Sequence, residues 1–94
     1  MIEKIEEFRR EIDVVDKEIL KLMKKRFSFV KKIARLKIKY NLSIVQSHRW
    51  KKMKEDRLKV AKKMKLQEDF VSKIMFFLHK ESIREQLKME KNQK

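Results

Sequence analysis

The stretch MIEKIEEFRREIDVVDKEILKLMKKRFSFVKKIARLKIKY, residues 1–40, decides the fold. Its apolar positions recur at steps of three and four: Ile5, Phe8, Ile12, Val15, Ile19 and Leu22, then Phe29, Ile33, Leu36 and Tyr40. That spacing predicts one helix with a continuous, near-heptad apolar seam. No Gly or Pro interrupts it. One seam position breaks the pattern: residue 26 should be apolar and is Arg26. A cation inside a buried stripe is costly unless an anion meets it. Either a carboxylate from elsewhere in the fold pairs with Arg26, or the seam opens there to receive an anionic ligand.

The helix is expected over about residues 3–40. Glu3, Glu6 and Glu7 suit its positive N-terminal end, and Lys37 and Lys39 its negative C-terminal end. At 1.5 Å per residue it is roughly 60 Å long. A compact chain of this size is only roughly 30 Å across. One chain cannot cover both ends of such a helix, so the length predicts an obligate homodimer.

Asn41 is the expected stop, because Asn tolerates the left-handed conformation usually left to Gly. Residues 42–46 read as a short extended link, and Ser47 as the N-cap of a second helix over about 48–64. That helix places Trp50, Met53, Ala61 and Met64 on one face, with Leu58 beside them. After a link at 65–68, a third helix runs over about 69–88. Its apolar face is Phe70, Ile74, Phe77 and Leu78, flanked by Val71 and Met75. Residues 88–94 are expected to fray. The whole is one all-α domain, residues 1–94, of three helices. The third helix's i, i+4 row Phe70, Ile74, Leu78 continues as Ser82 and Gln86. Two accounts fit this turn from apolar to polar: a helix end leaving the core, or two hydrogen-bonding groups lining a pocket.

Composition narrows the chemistry. The 94 residues contain no Gly, Pro or Cys, which argues against hairpins, Gly-rich phosphate loops, disulfides and thiolate chemistry. No apolar run has the length of a membrane span, and no signal-peptide core is present, so the expected compartment is the cytoplasm. The net charge of +14 suggests an anionic partner. Counted by halves the charge looks even: 13 basic and 7 acidic side chains in residues 1–40, 15 and 7 in the remainder. With few aromatics among the basic runs, solvating lysines explain the charge better than nucleic-acid binding.

Arg26 and Lys37 are eleven residues apart, three helical turns, and face one cleft. Arg9 points roughly 100° away from Arg26. It is either a solvated side chain, paired for example with Asp13, or a group that reaches a partner chain's pocket. His48 and His79 lack metal-ligand spacing and read as structural or exposed. Ser82 has no base and acid arranged with it. No paired carboxylates mark a hydrolase.

Laid end to end, Arg9, Asp16, Arg26, Lys37, Arg49, Ser82 and Gln86 form the pattern Arg-x6-Asp-x9-Arg-x10-Lys-x11-Arg, followed by Ser-x3-Gln. This pattern resembles the all-α, type II chorismate mutases over about residues 5–90, without a gap. The resemblance implies an intertwined helical homodimer in which each site is closed by an arginine of the other chain. It implies the Claisen rearrangement of chorismate to prephenate, in aromatic amino-acid biosynthesis. That reaction is unimolecular and needs no cofactor, metal or nucleophile. Carried over, Arg26 and the partner chain's arginine at position 9 grip the carboxylates. Lys37 and Gln86 donate to the ether oxygen, Ser82 assists a carboxylate, Arg49 completes the positive wall or orients its neighbours, and Asp16 is mainly structural.

Two positions depart from the family pattern. Where a glutamate usually follows the arginine and receives the substrate hydroxyl, this chain has Trp50; where an acidic residue often stands three before it, this chain has Gln46. The Gln46 amide can accept that hydroxyl, and Trp50 reads as core packing. Family members fused to the first shikimate-pathway enzyme carry a similar Gln-x-x-Arg-Trp, which suggests a fused or docked synthase as a further partner. Two alternatives remain at this point: an isochorismate-pyruvate lyase on the same scaffold, and a non-enzymatic basic helical dimer that binds nucleic acid.

Overall fold

The chain forms α1 (Ile2–Lys39), α2 (Ser47–Lys63) and α3 (Glu68–Asn92), as seen in a computed structural model that describes residues 1–93. Among these residues there is no strand, and no helix is long and apolar enough to cross a membrane. α1 is unbroken over 38 residues and sets the long dimension of a molecule measuring 59 × 27 × 14 Å.

Helix ends in a chain without glycine require other residues to take the left-handed conformation. Asn41 does so after α1 (φ 55°), as its side chain predicts, and Lys65 does so after α2 (φ 59°). Each is locked by a backbone bond spanning five residues: the Leu42 N–H donates to the Lys37 carbonyl at 2.7 Å, and the Leu66 N–H to the Ala61 carbonyl at 2.9 Å. Lys65 lacks a side chain suited to this backbone, at a cost of roughly 1 kcal/mol.

Two expected helix boundaries are corrected. Ser47 is the first residue of α2 instead of its cap; the extended Gln46 holds the N-cap position, and no side chain caps the helix. The Gln46 carbonyl, which accepts the Arg49 N–H at 3.0 Å, starts the helix one residue early. The C-terminal stretch expected to fray is helical through Asn92, because Met89 and Glu90 still rest partly covered along α3.

α3 lies between the other two helices and packs on both. It runs parallel to α1, so that Arg26 meets Ser82 and, three turns on, Lys37 meets Gln86. It runs antiparallel to α2, with Trp50 beside His79 at one end and Ala61 near Val71 at the other. Ala34 has no exposed surface, and its lack of bulk lets α1 approach α3 closely. The core is thin: Val30, Ala34, Ile44, Met53 and Ala61 are its buried apolar residues.

The apolar seam of α1 is not its intrachain packing face. α1 meets α3 through Met23, Phe27, Val30, Ala34 and Ile38, which are buried or half-buried, while every residue from 1 to 22 is exposed. Phe8, Phe29, Ile33 and Leu36 are likewise about half exposed within one chain. Two expected apolar faces are also corrected: Phe70 and Phe77 of α3, 61% and 64% exposed, and Met64 after α2 lie outside the core. The face of α3 that meets α1 and α2 instead carries Met75, Leu78, His79, Ser82 and Gln86. Phe70 and Phe77 point away from it.

Candidate active site

The C-terminal half of α1, the link at 44–46, the first turns of α2 and the second half of α3 enclose a cavity of about 270 Å³. Its polar lining is Arg26 and Lys37 from α1, Gln46 and Arg49 from the link and α2, and His79, Ser82 and Gln86 from α3. Val30, Ile33, Ile44, Met53 and Ile83 supply apolar walls. A larger groove of about 510 Å³ opens elsewhere along α1 and α3, but there Lys24 and Lys31 lie with Glu81 and Glu85, so its charges balance.

The question raised by Arg26 has a geometric answer. None of the ion pairs among the described residues involves it; all four join exposed side chains one helical turn apart. Its guanidinium donates instead to neutral acceptors: Ser82 Oγ at 2.6 Å and the Leu78 carbonyl at 3.4 Å, with Met53 Sδ at 3.8 Å. Burial pushes the Arg26 pKa down, and the nearby cations Arg57 and Arg49 push it further the same way. The site therefore holds its positive charge against both desolvation and repulsion. No Asp or Glu lines the cavity to offset it.

Lys37 is held in the same manner. Its ammonium donates to the Ile44 carbonyl at 2.8 Å and to Gln86 Oε1 at 2.9 Å, and burial lowers its pKa. Because Gln86 accepts through its carbonyl oxygen, its amide N–H groups remain for the cavity. The Ser82 hydroxyl donates a hydrogen bond to the Leu78 carbonyl at 2.7 Å and so presents its oxygen as an acceptor to Arg26. Among the described residues, Ser82 and Gln86 are the buried polar side chains; Ser82 Oγ and Gln86 Oε1 are hydrogen-bonded, and no fully buried polar atom lacks a partner. Of the two accounts of their row, pocket lining describes where they lie.

Six of the seven residues singled out as substrate contacts thus line one cavity. Arg9 does not. It is exposed on the uncovered part of α1, where it donates to Glu6 Oε1 at 2.6 Å, rather than to Asp13. Asp16 is exposed on the same segment. Trp50 is half-buried between α2 and α3, edge-on to Phe76 at 6.1 Å and stacked on His79 at 4.6 Å, and is outside the cavity lining. Sequence reasoning passed over His79. Its signal was positional: it lies three residues before Ser82 and seven before Gln86, on their face of the helix. Charge counted by halves also hid a segregation, since residues 19–54 contain no Asp or Glu, and this acid-free run supplies four of the polar lining residues.

The chain is similar to known proteins. The chain is 36% identical over 82 residues to the bifunctional chorismate mutase/prephenate dehydratase of Buchnera aphidicola subsp. Acyrthosiphon pisum (strain APS). The match covers 87% of this chain and 21% of that protein, so the chain spans about a fifth of the relative's length. No solved structure gives a significant match. The sequence profile of the family described as chorismate mutase type II matches residues 8–87, which include every residue of the cavity. The chain therefore belongs to the type II chorismate mutase family.

Proposed function

We propose that the cavity binds chorismate and rearranges it to prephenate, a step of aromatic amino-acid biosynthesis. The observation that carries this reading is a pocket of cations and neutral donors with no carboxylate to neutralise it. Such a pocket favours a dianion, and a unimolecular rearrangement asks for nothing beyond binding and charge placement. Arg26 and Arg49 take substrate carboxylates through charge-assisted bonds, with Ser82 beside Arg26. The apolar walls and these anchors hold the substrate in a compact conformer with its reacting carbons close. As the ether C–O bond breaks, negative charge grows on that oxygen. Lys37 and the Gln86 amide donate there, and their mutual hydrogen bond fixes both before the reaction starts. Addition of chorismate to the protein should consume its ultraviolet absorbance, with prephenate as the product. Release of pyruvate instead would assign the chain to lyase chemistry.

The functional unit in this reading is a homodimer. The first 22 residues of α1 have no covering neighbour within the chain, yet carry Ile5, Phe8, Ile12, Val15 and Ile19. A second copy covers them best, and charge favours it: residues 1–18 carry seven acidic and four basic side chains, whereas the following run to residue 54 is free of acid. Arg9 lies on this segment and reaches the other chain's cavity. Sedimentation at low micromolar concentration should show a dimer whose dissociation accompanies loss of helicity. A folded, active monomer would refute the shared site.

A further inference from the structure

The cavity is rich in donors and poor in acceptors, and chorismate carries a ring hydroxyl that must donate its proton to something. Most acceptors around the cavity are already engaged. Gln86 Oε1 and the Ile44 carbonyl receive Lys37, and Ser82 Oγ receives Arg26. Two side chains remain: the Gln46 amide and the imidazole of His79. His79 makes no hydrogen bond to protein among the described residues, and its ring is held nearly parallel to the Trp50 indole, at 4.6 Å and 20°. Trp50 stands where the family pattern has the glutamate that receives the hydroxyl. The indole thus carries an imidazole where a carboxylate is missing.

We propose that His79 is a substrate-contacting residue whose neutral ring nitrogen accepts the substrate's ring hydroxyl, with Trp50 as the platform that positions it. This rests on the chorismate reading of the same cavity. An imidazole accepts only while it is neutral. The charged groups facing it are Arg26 and Lys37 from α1, with Arg49 on α2 lining the same cavity. Burial first, then Arg26 and Lys37, hold the His79 pKa below its ordinary value, so the acceptor is present at neutral pH. A histidine suits a site like this better than a carboxylate would in one respect. It supplies an acceptor without cancelling the positive charge that binds the dianion.

The test compares chorismate with an analogue whose ring hydroxyl is replaced by hydrogen, using the full chain and the variants His79→Leu, His79→Gln and Gln46→Leu. In the parent, chorismate should be the better substrate. His79→Leu should lower kcat/KM for chorismate roughly tenfold and leave the deoxy analogue within about twofold. His79→Gln, which restores a neutral acceptor, should recover most of the loss. A structural defect would lower both substrates together, so an equal loss in His79→Leu overturns the proposal. So does a preference for the hydroxyl that survives in His79→Leu and vanishes in Gln46→Leu. A parent chain that turns over neither substrate would overturn the chorismate reading itself, a result distinct from the other two.

Discussion

Arg26→Met is expected to remove catalysis while the protein stays folded, with Tm unchanged or raised. The guanidinium is half-buried, lies near Arg49 and Arg57 and has no anionic partner among the described residues, so the fold carries its charge at a loss. Methionine keeps the apolar stem and drops that charge. Ser82 Oγ is not orphaned by the change, because it still donates to the Leu78 carbonyl. Turnover should fall far: losing a positioned charge from a substrate carboxylate should cost roughly two to three orders of magnitude in kcat/KM. Gain of stability with loss of function distinguishes a binding residue from a structural one. A Tm drop of many degrees would instead make Arg26 part of the scaffold. The same variant tests the shared site. Arg26→Met chains mixed with Arg9→Ala chains give heterodimers with one intact and one doubly damaged cavity. Random exchange should return about a quarter of parental activity from two inactive parents. No recovery after demonstrated exchange would place Arg9 outside the site.

Gln86→Glu should give a pH-rate profile that climbs as the solution is acidified, over the range in which His79 stays neutral and the parent does not climb. Gln86 Oε1 already accepts the Lys37 ammonium at 2.9 Å, so a carboxylate keeps that contact and the fold. What it loses is the N–H. An ionised glutamate has no proton to give and repels the charge growing on the ether oxygen; only its protonated form donates. At neutral pH kcat should therefore fall by roughly a hundredfold or more, since a transition-state donor is missing. Activity should return as pH drops through the new carboxyl's pKa. Lys37 pulls that pKa down and burial pushes it up, so the midpoint reads which of the two prevails. A profile identical to the parent's would remove Gln86 from the ether oxygen.

The residues that sequence singled out and the structure brings to one cavity or to a helix stop are those whose chemistry conflicts with their pattern. Arg26 could be singled out because a cation interrupts an apolar period, and Asn41 because a glycine-free chain leaves few residues for a left-handed stop. Ser82 and Gln86 could be singled out because a row turns polar without becoming charged. The same row misplaced Phe70. Steps of four drift by 40° each, so over four steps the two ends of the row diverge by roughly 160°. Gln86 then faces α1 while Phe70 faces outward. His79 was illegible for a different reason. A single histidine has no spacing to read, and its significance comes from Trp50, 29 residues away in sequence and stacked on it in space. Arg9 remains a surface residue within one chain, because nothing of that chain reaches the first 22 residues of α1.

The absence of any carboxylate around Arg26, Lys37 and Arg49 has a consequence for the resting enzyme. Within one chain no lining side chain balances these cations, so charge balance comes from solution anions or from the acidic first 18 residues of the other chain. A cavity so lined is expected to attract small multivalent anions, which substrate would displace. Phosphate or citrate in a buffer is then expected to compete, raising the apparent KM and leaving the maximal rate alone.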